Sequence, residues 1–478
     1  MTPVNDERDA QRDEDARALA QLGYAQQLLR DMGGFANFAL SFSIISILTG
    51  AVTLYAHGLR FGGPLTMTVG WPLVTVLTLA VAASLAQLAS AFPTAGALYH
   101  WASILGGRGW GFFTAWLNTI GQFAITAGID YGLAEFLTPM LGLGSERRAV
   151  LAVYAAILFS HALANHVGVR LVSVLNWFSA WYHVAGVALL VGALAVVAPK
   201  QDLGFLWTRV TVAEQGYAYG FAVALLQAGW TFTGYDASAH VTEETVDPSR
   251  TAPWGIVLSV AVSGVVGWIM LLMVTLAIGD LGATQAAANP FVHILTTGLG
   301  PTLGNAMVWM ILGAMWFCGL ASITSNSRML FAFSRDGGLP AVSPWLARVS
   351  PRFRSPHIAV WVAAAAAFVV ALWAEAYSVM VALSTIALYA SYGVPIAVGF
   401  AARRSGRWSH RGPWDLGRWS EPVNLMALTW IAILTVLFVL PPNVLAGTTF
   451  AGCLALLALL WFGWARRHFK GPPLQKRR

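Results

Sequence analysis

Two Thr-Gly pairs, Thr49-Gly50 in FSIISILTGAVTLYAHG and Thr233-Gly234 in LLQAGWTFTGYDASAH, each stand well inside a long apolar run. Gly costs about 1 kcal/mol in a helix interior and Thr can bond its own backbone, so each pair marks a point where a helix can unwind. Unwinding inside a membrane frees N–H and C=O groups where there is no water, which is tolerated only where they line a cavity or hold a ligand. Freed N–H groups at a half-helix N-terminus favour a carboxylate, and freed carbonyls at C-terminal ends favour an ammonium or a cation. Two breaks of opposite polarity suit a small zwitterion. The expected contacts are Ser46, Ile47, Leu48, Thr49 and Gly50 on one side and Trp230, Thr231, Phe232, Thr233, Gly234 and Tyr235 on the other. The other reading of these glycines is close helix packing, a frequent use of small residues in membranes.

Ionisable groups at membrane depth come next. Asp236 follows the second break by two residues, where a carboxylate is costly unless paired, hydrated or protonated. It reads either as a proton-linked gate or as an acid tied structurally to the broken helix. His183, in NWFSAWYHVAGVALL, reads first as a hydrogen-bonded packing residue and second as a group that titrates near neutral pH and couples to transport. Asp130 and Glu135 are expected to form an interfacial, solvated pair. His161 and His166 lack the Glu of HExxH, so no zinc hydrolase and no metal site are expected. Ser322 and Ser325 are candidate oxygen ligands for a sodium ion, although hydroxyls in such helices usually bond the backbone. Glu243, Glu244, Asp247 and Arg250, with Arg328, Arg335 and Asp336, read as inner-face pairs that either latch a gate or, as the first expectation, form a solvated rim.

The elements that must position these residues follow from composition. Of 478 residues, 57% are apolar and only 10% charged, too few to coat a water-facing globule. Apolar runs at about 35–57, 65–92, 110–138, 149–168, 171–198, 217–239, 254–279, 302–332, 357–374, 378–402, 423–441 and 446–465 predict about twelve transmembrane helices. A soluble enzyme and a disordered chain are excluded, and twenty-residue apolar runs argue against a β-barrel, whose strands alternate apolar and polar. With both termini inside, 23 Arg and Lys lie on the inner side and five on the outer, so both ends are expected in the cytosol. The net charge of +7 thus reflects topology rather than nucleic-acid binding. No GK[ST] loop cradles a nucleotide, no cofactor is implied, and Cys318 and Cys453 read as core residues. Spans 1 and 6 run in opposite directions with matching breaks five spans apart, the pointer to an inverted repeat with a site at the membrane midplane.

Three segments carry a resemblance: SLAQLASAFPTAGALYHWASILGG (Ser84 to Gly107), GWTFTGYDASAHVTEETVDPSRTAPWGI (Gly229 to Ile256) and SNSRMLFAFSRDGGLP (Ser325 to Pro340). Together they resemble the amino acid–polyamine–organocation permease superfamily, most closely its amino acid/choline transporter branch. The resemblance implies an all-α polytopic membrane protein with a five-plus-five inverted-repeat core, helices 1 and 6 broken, and two peripheral helices. It also implies secondary transport of an amino acid or related amine by alternating access. It places an aromatic that closes over the substrate at Trp230 and an acid beside the site at Asp236, and in some relatives a Lys near His183 replaces a sodium ion. It departs at Gln87, where many relatives have Glu.

The resulting layout is a cytosolic tail over 1–32, helical near its end, and a core over 33–402 in halves of about 33–200 and 215–402. Peripheral helices 11 and 12 with their preceding loop fill 403–465, and a basic tail fills 466–478. Proton-coupled uptake across the plasma or inner membrane, by a monomer or homodimer, is the first expectation. An exchanger or uniporter for choline, ethanolamine, γ-aminobutyrate or a polyamine is the alternative, with a channel or a membrane enzyme more remote.

Overall fold

The computed structural model describes residues 3–373 and 377–473. Nine helices among them are long and apolar enough to cross a membrane. The other three expected spans are helical too. Span 3 is the 33-residue helix Arg108–Met140, span 6 is broken into short pieces, and span 9 is the apolar helix His357–Trp373. The chain is an all-helical polytopic membrane protein, and no strand forms among the described residues.

Span 1 consists of Gly34–Ile45, a non-helical turn, and then Gly50–Thr53 and Tyr55–Phe61. Span 2 is Trp71–Ala91, followed by a short helix, Ala97–Gly106, on the face that carries the termini. Spans 4 and 5 are Arg147–Val167 and Val169–Val197. Span 6 holds Tyr217–Ala224 and Leu226–Thr231, then a second break, then Ala237–His240. Span 7 is Pro248–Leu276, followed on the opposite face by the short helix Leu281–Ala286. Span 8 ends the helical stretch Pro290–Arg335, which kinks at Gly300 (φ 78°). Span 10 is Tyr377–Arg404, and Ser420–Leu437 and Val444–Leu460 are spans 11 and 12.

The packing is reciprocal, as an inverted repeat requires. Span 3 lies against spans 9 and 10, while span 8 lies against spans 4 and 5; spans 2 and 7 pair, as do 3 and 8. Span 11 leans on spans 2 and 10, and span 12 on span 10, outside this core. Large apolar side chains left bare on spans 4, 5, 11 and 12, such as Phe159, Leu189, Ile433 and Leu459, are suited to lipid.

The N-terminal segment is helical at a different place than expected. Its helix is Pro3–Gln21, not near the tail's end, and the residues after it are bound to the loop that follows span 6. Met32 donates its N–H to Glu244 O (2.9 Å) and accepts from Val246 N (3.0 Å), while the buried Arg30 donates to Thr242 O (3.0 Å) and to Thr245 O. Residues 474–478 of the expected basic tail lie outside the described residues.

Candidate functional site

The first break lies just before the Thr49-Gly50 pair. The helix stops at Ile45, Ser46 takes φ 23°, and helix resumes at Gly50. The second break spans Phe232 to Asp236 around Gly234 (φ 84°), a conformation that glycine adopts without penalty. A Cβ on Gly234 would stand 2.2 Å from Ile44 Cγ2. The N–H groups of Ile47, Leu48, Thr233 and Tyr235 make no hydrogen bond among the described residues. Other freed groups are satisfied by neighbours: Gly234 N–H donates to Tyr392 Oη (3.2 Å), Phe232 O accepts from Tyr389 Oη (3.2 Å), and Tyr235 O accepts from Ser41 Oγ (2.8 Å).

A small cavity of about 10 Å³ lies between the breaks, lined by Ile44, Ile45, Thr49 and Gly50 of span 1 and by Trp230, Thr231 and Thr233 of span 6. Ile125 and Ile129 of span 3 and Cys318 of span 8 complete its wall. Sequence reasoning missed these last three, because an apolar residue facing a cavity has the same type as one facing lipid. Their only signal is position opposite the breaks.

The other expected contacts face elsewhere. Phe232 packs on Trp71 (centroids 4.8 Å apart) and Tyr235 on Tyr392 (5.1 Å). Ile47 and Leu48 are fully buried, close to Gly267 of span 7 and Gly186 of span 5. Ser46 Oγ lies 2.7 Å from Thr49 Oγ1 and 2.8 Å from His183 Nε2. Because His183 Nδ1 must donate to Ser179 O (2.8 Å), the neutral ring accepts from Ser46 and braces the first break from outside the cavity. Ser322 and Ser325 are turned to span 3, bonded to Thr126 (2.7 Å) and Gln122 (3.1 Å). Asp236 is fully buried and does not line the cavity. Tyr392 (2.8 Å), His240 (3.1 Å) and Asn118 (3.3 Å) surround its carboxyl group. Gln87 accepts from Leu416 N–H (3.3 Å) in the loop before span 11.

On the face away from the termini, a vestibule of about 700 Å³ opens between Thr53, Tyr131, Glu135, Arg147, Asn289 and Tyr377, among others. Trp230, which donates Nε1–H to Ser384 Oγ (3.1 Å), meets the Tyr377 ring edge-on (6.3 Å), so these two rings separate vestibule from cavity.

The termini-facing side is sealed by ion pairs. The expected solvated rim is overturned for the two central pairs. Arg328 clasps Glu244 through Nε–Oε2 (2.8 Å) and Nη2–Oε1 (2.9 Å) with both side chains fully buried. Arg335 clasps Glu243 through two 2.8 Å contacts and lies 4.0 Å over the Tyr24 ring, whose hydroxyl donates to Asp336 (2.7 Å). The loop sequence carries only the charges; the N-terminal segment folding over them is what removes water. Arg250 and Asp247 remain a loose, exposed pair (4.0 Å), as expected.

Burial pushes the Glu243 pKa up, but the Arg335 guanidinium and the Ala95 N–H more than offset it and hold it below the usual carboxylate value. Asp336 is likewise raised by burial and held low overall by His100, Arg335 and Tyr99. A carboxylate depressed in the folded state stabilises above its unfolded pKa and loses that contribution as pH falls through the folded value. Closure of this face is therefore expected to be flat between about pH 6 and 8 and to loosen only in acid. Thiol labelling of Thr242→Cys in an otherwise cysteine-free chain checks this: a rate constant with pH near neutrality and rising in acid is the expected result.

The amino acid permease family profile matches residues 33–464. The chain is 38% identical to the amino-acid permease BAT1 homolog of Oryza sativa subsp. japonica, over 95% of this chain and 94% of that protein. It is 35% identical to amino-acid permease BAT1 of Arabidopsis thaliana (95% of each chain) and 26% identical to amino-acid permease 2 of Neurospora crassa (95% of this chain, 88% of that protein). With its two broken helices facing one cavity, this integral membrane protein belongs to the amino acid permease family.

Proposed function

We propose that the protein takes up a small neutral amino acid by alternating access, driven by protons, with both termini in the cytosol of the cell that imports it. The observation that carries this reading is the asymmetry around one cavity: a wide vestibule reaches it from one face, and buried ion pairs close the other. Two repeats, about 33–200 and 215–402, would rock about this point. Both breaks belong to one chain, so a single copy supplies the whole site.

The cavity wall supports the substrate class. The unbonded N–H of Thr233, a residue of the cavity wall, suits a carboxylate, and the carbonyl ends at the breaks suit an ammonium. Four isoleucines line the space and no charged side chain does, so a charged substrate side chain would find no partner. The same absence of carboxylates disfavours a diamine. One proton moving through about 100 mV supplies about 2.3 kcal/mol, enough for roughly 50-fold accumulation without a nucleotide.

Cys318 offers a direct test of the site. In a Cys453→Ser background, transported amino acids are expected to slow alkylation of Cys318 by a small membrane-permeant maleimide, in the order of their uptake into proteoliposomes. Equal alkylation with and without substrate would place binding elsewhere. Uptake of a standard amino-acid panel under an imposed pH or sodium gradient then distinguishes proton drive from sodium drive and from exchange.

A further inference from the structure

The expected interfacial Asp130 is instead fully buried at the junction of spans 3, 4 and 8, its Oδ2 3.1 Å from Nδ1 of an equally buried His161. The pair sits directly behind the substrate cavity. Asp130 follows Ile129, and Gly319, against which the pair packs, follows Cys318; Ile129 and Cys318 both line the cavity. Cys318 also donates its thiol to Ile44 O (3.2 Å) in the last turn before the first break.

Two atoms of the pair, Asp130 Oδ1 and His161 Nε2, are buried with no hydrogen-bond partner among the described residues. Buried polar atoms are rarely left so, and a net charge in a membrane interior is costlier still. If Nδ1–H donates to a carboxylate, the pair carries one net negative charge, and no third charged side chain pairs with it among the described residues. The titratable groups that feel its charge are Tyr154 of span 4 and Cys318 of span 8; on span 3 itself Tyr131 follows Asp130 with its ring 5.7 Å from Tyr154, and Glu135 lies further along in the vestibule. Span 9 contributes only Ala367 O, which accepts the Tyr154 hydroxyl (2.8 Å). The Trp316 ring covers His161 at 5.0 Å. The niche is made by Gly319, where a Cβ would lie 1.8 Å from Asp130 Oδ1 and 2.6 Å from His161 Cε1.

We propose that Asp130 and His161 form the proton-binding site that couples the proton gradient to substrate movement. It rests on the proton-driven reading above and names the group that carries the proton. One proton entering at Nε2 or Oδ1 takes the pair from one net negative charge to neutral; its departure from the same atom restores the charge. Hard cations such as sodium prefer oxygen ligands, and half of this site is an imidazole nitrogen, so the chemistry favours a proton. Substrate that moves Ile129 or Cys318 changes the hydration of the pair, which links occupancy to protonation.

The test uses proteoliposomes and the labelled member of the amino-acid panel with the greatest wild-type uptake. Under an imposed difference of one pH unit, the wild type is expected to accumulate substrate about tenfold, the limit for one proton. Asp130→Asn and His161→Gln are expected to retain substrate counterflow, which needs no net proton movement, and to show no accumulation above onefold. Accumulation at the wild-type level in either variant, with counterflow intact, overturns the proposal. Wild type that ignores the pH gradient removes the proton-driven reading itself, and the proposal with it. Should Asp130→Asn lack counterflow, Asp130→Glu decides: recovered accumulation with a displaced pH profile supports a titrating carboxyl, and recovered counterflow without accumulation overturns it.

Discussion

Gly50→Ala is expected to lower initial uptake at least about tenfold while the protein still folds in the membrane. A Cβ at this position would lie 2.5 Å from Thr231 Oγ1 and 2.8 Å from Thr231 Cβ and Cγ2. Thr231 has little room to give way, because it is β-branched, fully buried and bonded through Oγ1 to Gln227 O (2.6 Å). Overpacking of this kind costs about 1–3 kcal/mol, and here it falls on the contact that sets the width of the cavity. The two broken helices must separate, or one must rotate its freed N–H groups away from the substrate. Gly192→Ala on span 5, where a Cβ would meet nothing within 4 Å, serves as the control and should transport normally. Uptake rates normalised to reconstituted protein check both; normal uptake by Gly50→Ala would show that spans 1 and 6 do not meet as described.

Arg328→Met should produce the largest loss of stability. It leaves Glu244 buried and charged without its partner and also removes donors to Asn165 Oδ1 (3.3 Å) and Ser327 Oγ (3.1 Å). Breaking a buried pair from one side costs about 3–5 kcal/mol, whereas removing both partners is often close to neutral. The double variant Arg328→Met with Glu244→Met is therefore expected to recover most of the thermal midpoint lost by the single one. It should not recover the seal on the termini-facing side, because a pair of thioethers has no charge or hydrogen bond to hold the loop after span 6 against span 8. Thermal unfolding followed by size-exclusion chromatography measures the first effect, and thiol labelling at Thr242→Cys the second. A double variant as unstable as Arg328→Met would mean that the charge of Glu244 is not what the single substitution exposes.

Much of the architecture is legible in the residues because a membrane leaves few choices. Twenty apolar residues in a row without water must be helical, and the bias of Arg toward one side of the spans gives an expected orientation. The breaks are legible for the same reason. Thr-Gly pairs are poor helix formers, and two of them at matching depths in oppositely directed spans point to the repeat. The first break is displaced from its pair by a few residues because Ser46, gripped by His183, ends the helix before Thr49 is reached. Asp130 and the Arg328–Glu244 pair were misplaced for a single reason. Residue type sets the cost of burying a charge, but not whether a partner from a distant span arrives to offset it.

The chain's own order of apolar and polar residues determined the spans and, to within a few residues, where both interruptions fall, since these are governed by local hydrogen bonding and transfer from water. Which isoleucines face substrate, which acid meets which base, and which face is closed were decided only when spans far apart in sequence packed together. A side chain's surroundings in a helix bundle come from its neighbours in space, and those are fixed by the fit of whole helices rather than by the residues beside it in the chain.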